Sequence, residues 1–432
     1  KCIDKHKFKG ADGYNGLAYN AKLTMFDVEI NNKMFVPSLY HVALPPAYAA
    51  GARVHSNSWG CRGVTTYTSK ALEVDEFMYD YPDFLFVVAA GNDGALGMDS
   101  VGSPGVSKNA LTIGASASNH DNIVDFSGIG KAFHGMIKPD VIGPGTDLMS
   151  AGVGFGDGKE SCQIQLSSGT SMATPLISAT AILVKQYFES KRFWGTICNS
   201  HYRSCPSKDE GKSKEVSAAL LKAVLVHSAN DMKQVLSGWG SAVPKTNLTT
   251  PPDRFQGWGH VMLKNVLPLP GVYDFDLYVA DYESLASMSR RQYFTNVKGS
   301  RRNLVVTIAW NDPPNVVWAA KNLLNDLDLT IISPSGVVFY GNNRPGDEFN
   351  SVERVLIAEP EKGSYTVQVT AKQFPAGKEQ TYSIVITCDG YVEEAMTSLA
   401  PIETKDLTYS SEELDCQEKK GKLVRMQLED WL

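Results

Sequence analysis

The pattern of secondary structure changes near residue 270, and this change constrains the fold more than any other feature of the chain. From residue 22 to about 170, β-rich runs such as FLFVVAA alternate with helix-like segments such as TSKALEVDEFMYDY. This alternation predicts βαβ units around a parallel sheet, with strands buried on both faces. After residue 270 only short, closely spaced strands with turn signals remain, which predicts an antiparallel sandwich or jelly roll.

Individual elements can be placed on this outline. The sequence predicts helices over 68–81, 172–190 and 215–229. The predicted strands of the first part are KLTMFDVEI, ARVHSNSW, FLFVVAAG, NALTIGAS and KPDVIGPG. Those of the second part are NLVVTIAW, DLDLTIIS, GVVFYG, VERVLIA, SYTVQVTA and TYSIVITC. We therefore predict an α/β domain over 1–268, an all-β domain over 269–390 and a charged tail over 391–432.

Composition narrows the classes of partner and compartment. The 432 residues carry a net charge of −6, which argues against nucleic acid as a partner. No apolar stretch reaches the roughly 18 to 20 residues of a membrane helix, so we expect no membrane segment in this chain. Of seven cysteines, Cys198 and Cys205 flank a short polar loop that suits a disulfide. With the glycosylation sequon at Asn247, this favours a secreted protein or one of a secretory or endolysosomal compartment.

Ser171, in the stretch SSGTSMATP, is the first candidate for chemistry. It precedes a long apolar run and is either a helix-capping serine or a nucleophile whose oxyanion the helix N–H groups would stabilise. Ala173 replaces the second glycine of the G-x-S-x-G nucleophile elbow, which disfavours that hydrolase class. A serine nucleophile also needs a base to take its proton.

Two further stretches follow predicted strands. In VVAAGNDG, Asn92 is either a turn residue or an amide donor at the carboxyl end of a parallel strand, where α/β sheets place their sites. Ser58, Trp59 and Gly60 end another strand. They form either a simple strand end with a packed tryptophan or an edge to which a substrate peptide adds as an extra strand.

Together these stretches resemble the motifs of the subtilases, the subtilisin-like serine proteases. GTSMATP resembles the nucleophile motif, AAGNDG the oxyanion motif, NSWG the substrate strand and GSPGVSKNALTIGA the segment beside the specificity pocket. The part with AWNDPP and LLNDLDLTIISPSG resembles the C-terminal domain of large alkaline subtilases, so the resemblance covers about 16–388.

The resemblance implies a fold, an activity and a set of roles. It implies a subtilisin-like parallel sheet flanked by helices, an acyl-enzyme on Ser171 and a protein or peptide substrate, with no cofactor required for catalysis. Asn92 and the Ser171 N–H would hold the oxyanion. Ser58, Trp59 and Gly60 would bind the substrate backbone.

The aspartate and histidine motifs of the family are missing from the sequence. None of the eight histidines stands in the H-G-T-H context, and the neighbours of His55 match the substrate strand instead. GLAYNAKL, near the start, resembles the element that follows the histidine helix in the family. We therefore expect a fragment without the triad aspartate and histidine, inactive alone. The alternative is a noncatalytic pseudoprotease that acts as a binding or inhibitory protein.

Asp326 and Asp328 are the candidates for a metal site. Two residues apart on a predicted strand, their side chains share one face and repel unless solvent or a cation separates them. The face is either solvated or binds structural calcium, whose ligands are oxygens. The resemblance favours calcium because related subtilases often carry it, but the sequence does not identify a full set of ligands.

Overall fold

The computed structural model describes residues 15–31, 33–97, 99–130, 135–153, 162–190, 215–238, 241–269, 272, 275–319 and 321–393. The α-helices are α1 Leu44–Ala49, which continues a π-helical turn Leu39–Ala43, α2 Ser69–Asp80, α3 Thr170–Glu189 and α4 Ala218–His227. The strands of the first part are β1 Glu29–Ile30, β2 Lys33–Met34, β3 Val54–Asn57, β4 Leu85–Ala89, β5 Leu111–Ser116, β6 Asn122–Ile123, β7 Val141–Pro144, β8 Leu148–Val153, β9 Cys162–Ser167, β10 Gln234–Val235 and β11 Thr246–Asn247. Those of the second part are β12 Asp276–Ala286, β13 Arg290–Val297, β14 Leu304–Ala309, β15 Leu327–Ile332, β16 Val338–Tyr340, β17 Val352–Ile357, β18 Gly363–Ala371, β19 Glu379–Cys388 and β20 Gly390–Glu393.

Four parallel strands form the centre of the first part, in the order β3-β4-β5-β7. All five residues of β4 and all six of β5 are buried, because helices α2, α3 and α4 pack against the sheet. Shorter strands β6, β10 and β11 extend the sheet beyond β5. The predicted α/β fold with a parallel sheet is confirmed, and α3 packs against β3, β4, β5 and β7.

Helix α4 is buried along its whole length. One side packs against α3 and β4, and the other packs against β14 and β19 of the second part. A helix that is apolar all round belongs in such a position between two layers. Its one lysine, Lys222, donates to the carbonyl of Lys108 at 2.8 Å, and its Nζ lies 3.4 Å from a carboxylate oxygen of Asp140.

The second part consists of two antiparallel sheets, β12-β19-β14-β17 and β16-β15-β18-β13-β20. Successive strands pass repeatedly from one sheet to the other, which is the strand order of a jelly roll with β20 added at one edge. Ile308 and Ile384 of the first sheet share a buried cluster with Leu329 and Val367 of the second. All six predicted strands of this part are present, and the structure selects the jelly roll among the predicted all-β folds.

Some predicted elements differ from the structure. The strand predicted over 22–30 is wrong for most of its length, since only Glu29–Ile30 pairs, with Lys33–Met34. Leu23 and Met25 are 84% and 92% exposed, so these apolar side chains do not pack against a layer of the described residues. Nine strands were not predicted. Five of them, β2, β6, β10, β11 and β20, have only two to four residues, and polar or small residues interrupt the apolar pattern of the longer β8, β9, β12 and β13.

Other predictions fall on parts that the structure does not describe. The predicted pair Cys198 and Cys205 and the tail from 394 to 432 lie outside the described residues. Within the described residues, Cys61 and Cys388 are free thiols. Strand β20 pairs with β13 and ends at Glu393, so the all-β part extends three residues beyond the domain boundary predicted at 390. Among the described helices, none has both the length and the apolar character needed to cross a bilayer.

Candidate active site

Ser171 is the second residue of α3, at the N-terminus of a 20-residue helix. The N–H groups of a first helical turn have no acceptor within the helix, and they point out of its end with the positive pole of the helix dipole. Gly169 caps the helix with φ 154° and ψ 162°, a conformation open to glycine alone. The sequence GTS therefore places a hydroxyl beside backbone donors at the end of a buried helix.

Pro175 links this helix start to the predicted substrate strand. Proline has no N–H, so it cannot donate to the carbonyl of Ser171 four residues earlier as a helical residue normally does. The hydroxyl of Ser58 donates to that carbonyl instead, at 2.8 Å. The Ser171 Oγ in turn lies 3.4 Å from the carbonyl oxygen of Ser58. These two contacts bring the candidate nucleophile and the end of β3 together.

Asn92 lies on the other side of the helix start. Its Oδ1 accepts hydrogen bonds from both the backbone N–H and the hydroxyl of Thr170, each at 2.9 Å. Because both bonds occupy the oxygen, the amide nitrogen Nδ2 faces away from them as a donor. A Cβ added at Gly169 would meet this Nδ2 at 3.4 Å, so the amide lies directly against the helix cap.

Asn57 and Ser103 fix the segment of Ser58, Trp59 and Gly60. The buried Asn57 donates to the carbonyl oxygens of His55 and Val87 and accepts the indole N–H of Trp59 at 3.1 Å. After Gly60, the N–H of Cys61 donates to the carbonyl of Ser103 at 2.8 Å. Ser58 and Gly60 themselves are exposed, as an edge that adds a peptide strand must be.

The structure thus brings all five predicted residues to one edge of the sheet, and it adds two that sequence reasoning missed. Thr170 orients the Asn92 amide, and Asn57 orients Trp59. The sequence signal for each was its position, since each is a polar residue directly before a predicted site residue, and the structure buries both. Across the same edge, Arg62 forms an ion pair of 2.9 Å with Asp93, next to Asn92.

Among the described residues, no histidine forms a hydrogen bond with Ser171, whose Oγ lies beside the carbonyl oxygen of Ser58. His55 stacks on Phe86 with ring centroids 5.5 Å apart, and burial lowers its pKa. Burial also lowers the pKa of His260 to about 4. Burial and the nearby guanidinium of Arg354 together lower the pKa of His227 well below its usual value. These three rings are neutral packing elements, so the interpretation of His55 as part of the substrate strand agrees with its position.

Asp326 and Asp328 lie in the jelly roll, at the start of β15. Burial and the neighbouring Asp328 raise the pKa of Asp326 to about 7, as expected for carboxyl groups on one face. One oxygen of each aspartate and Oε1 of the buried Glu353 are buried without a hydrogen-bond partner. These oxygens suit calcium chemically, but Lys372 pairs with Asp328 at 2.5 Å, and the described residues contain no arranged group of three such ligands. Calcium binding here therefore stays a prediction.

Comparison with known proteins identifies the family. The profile of the subtilase family matches residues 6–259, which is more than half of the chain. The chain belongs to the subtilase family. The match spans Ser58, Asn92 and Ser171, so a peptidase scaffold carries the geometry described above.

Several individual proteins resemble this subtilase. The serine protease/ABC transporter B family protein tagD of Dictyostelium discoideum is 25% identical over 79% of this chain and 24% of its own length. The serine protease AprX of Bacillus subtilis is 35% identical over 23% of this chain and 25% of its own. The chain thus spans about a quarter of the length of each. The structure of the prenylagaramide maturation protease PagA aligns with a TM-score of 0.37 at 20% identity, over 55% of this chain and 68% of PagA.

Proposed function

We propose that this subtilase is a serine endopeptidase whose nucleophile is Ser171. The observation that carries the proposal is the convergence at the start of α3, where Ser171 meets Ser58 on one side and Thr170 holds Asn92 on the other. A capping serine alone would need neither an oriented amide nor an open strand end beside it. The substrate class is an extended polypeptide, because the exposed segment at Ser58 offers backbone groups.

In the proposed reaction, Ser171 Oγ attacks the carbonyl carbon of the scissile peptide while an imidazole takes its proton. The oxyanion that forms accepts hydrogen bonds from the Ser171 N–H and from Asn92 Nδ2, within the field of the α3 N-terminus. The proton then passes to the leaving amine, and water releases the acyl group. The family motifs that supply the imidazole and its aspartate are missing from these 432 residues, so no residue is assigned to either role.

Covalent labelling tests the nucleophile. In the protein expressed from its own gene, a fluorophosphonate should label Ser171, and Ser171→Ala should abolish both the label and casein cleavage. Ser335→Ala, in a jelly-roll turn, is the matched control and should change neither. Asn92→Ala should keep the label but slow turnover by about 10²- to 10³-fold, a range measured on subtilisin itself. A folded protein that is neither labelled nor active would favour the pseudoprotease alternative.

We also propose a secretory compartment for this subtilase. The sequon residue Asn247 is exposed at the edge strand β11, where a glycan can be attached. Treatment of the native protein with an N-glycosidase should lower its apparent mass, and Asn247→Gln should remove that shift. An unglycosylated Asn247 in protein isolated from its natural source would contradict this compartment.

A further inference from the structure

A turn of the jelly roll contacts the peptidase segment that follows the proposed substrate strand in the chain. We call residues 315–319, between β14 and β15, the Trp318 turn. The N–H of Trp318 donates to the carbonyl of Tyr67 at 2.9 Å. The next residue, Thr68, places its hydroxyl 2.6 Å from that of Ser103, the residue that pairs with Cys61. A continuous series of backbone and side-chain contacts therefore connects the substrate segment to the jelly roll.

The stem of this turn is fixed to the peptidase part. Lys108 Nζ lies 2.6 Å from an Asp312 carboxylate oxygen, and both side chains are almost fully buried. The same carboxylate accepts the N–H groups of Leu324 and Asn325 on the far side of the turn. Asn109 accepts the N–H of Asp312 at 2.9 Å. Because both ends of the stem are held by buried polar contacts, the tip has a defined position beside the substrate segment.

The tip presents apolar side chains to solvent. Val316 and Trp318 are each 69% exposed, and Val317 is 40% exposed. Trp318 also adopts a left-handed backbone conformation, with φ 64°, which is unfavourable for a bulky residue and marks a constrained turn. Single exposed apolar residues are common, but three in succession on an anchored and strained turn are not the ordinary case.

We propose that Val316, Val317 and Trp318 form a remote subsite for an apolar side chain of an extended polypeptide substrate. The proposal rests on the proposed endopeptidase function. The contact path from Ser171 through Ser58, Cys61, Ser103, Thr68 and Tyr67 to Trp318 is at most about 33 Å long, counting about 3.3 Å for each residue step along the chain and about 5 Å for each contact between neighbouring segments. An extended substrate would reach the tip within about ten residues of the scissile bond. Continuity with the substrate segment favours the substrate over a second copy of the chain.

Peptide binding to the Ser171→Ala variant of the full chain tests this subsite without turnover. The probes are a fluorescent four-residue peptide and two 12-residue peptides. One of these extends the short peptide by eight leucine-rich residues at its N-terminus, and the other extends it by eight at its C-terminus. Trp318→Ala should weaken the binding of one of the 12-residue peptides by about tenfold and leave the binding of the four-residue peptide unchanged. Trp318→Phe should restore binding. Val338→Ala, an exposed apolar residue on β16, is the matched control and should bind like the parent.

The outcomes separate this subsite from its alternatives. Equal weakening of the short and long peptides would mean that Trp318 only supports the fold, and unchanged binding of all three would mean that the tip is not a subsite; either result overturns the proposal. A concentration-dependent dimer that Trp318→Ala dissociates would assign the tip to a second copy instead. In the chain that retains Ser171, Trp318→Ala should leave fluorophosphonate labelling unchanged, so labelling reports separately on the proposed function.

Discussion

Replacement of His227 by glutamine should remove a large part of the acid sensitivity of this protein. His227 ends α4 between the two parts, with Nδ1 3.1 Å from the Thr307 hydroxyl and Nε2 2.8 Å from that of Thr387. Burial, together with the positive charges of Arg354 and Arg302, lowers its pKa well below the usual value of 6.5. The folded chain therefore keeps the ring neutral where the unfolded chain protonates it.

The sign of the effect follows from proton binding. Below pH 6.5 the unfolded state binds one more proton at this site than the folded state, so the free energy of unfolding falls as the pH falls. Between pH 7.5 and 5.0 the loss from this one group is at most about 2 kcal/mol, at about 1.4 kcal/mol per pH unit once the unfolded site is protonated. Glutamine does not titrate and keeps a polar group near Thr387, so His227→Gln should cost about 1 kcal/mol at pH 7.5.

Urea denaturation at pH 7.5 and pH 5.0 measures the difference between the two chains. Between these pH values, His227→Gln should lose less stability than the parent, by up to about 2 kcal/mol. The comparison cancels the contributions of the other shifted groups, such as His260 and Asp326, which both chains share. His41→Gln, at an exposed position, is the matched control and should follow the parent. If His227→Gln loses as much stability as the parent, the ring is not held neutral at the interface.

Three further changes test the active site and the jelly roll. Gly128→Ala would bring a Cβ within 2.4 Å of the Ala90 carbonyl oxygen, so it should displace the loop of Asn92 and lower the rate of fluorophosphonate labelling. In the control Gly16→Ala, the added Cβ meets no atom within 4 Å, and the variant should be labelled like the parent. Thr170→Val removes one of the two bonds to Asn92 Oδ1, and Thr170→Ser keeps it; labelling should slow in the first variant only, and equal rates would contradict the role of this hydroxyl. Calcium should raise the melting temperature and a chelator should lower it, because a cation would relieve the repulsion between Asp326 and Asp328, each of which has one buried oxygen without a hydrogen-bond partner; an unchanged melting temperature would contradict calcium binding.

The elements that the sequence predicts well are those whose pattern reports burial directly. Strand β4 reads LFVVA and is buried on both faces, and α4 is apolar all round and lies between two layers. The segment over 22–30 only alternates apolar with polar residues, and whether such a segment forms a strand depends on a partner that no local pattern encodes.

The candidate site shows the same division. Ser171 and Asn92 could be chosen because each follows a recognisable local motif. The roles of Pro175 and Thr170 depend on contacts with residues far apart in the chain, such as the bond from Ser58 to the Ser171 carbonyl. Sequence spacing carries no information on such contacts until the strand order is known.

The burial of α4 between both parts also affects how the chain folds during its synthesis. The helix ends at His227, but its partner strands β14 and β19 leave the ribosome later. At about 5 to 20 residues per second, the last of roughly 160 intervening residues appears about 8 to 30 s after the helix. For that time one apolar side of α4 has no layer to cover it. The nascent chain should therefore bind chaperones that recognise apolar helices until the jelly roll closes over it.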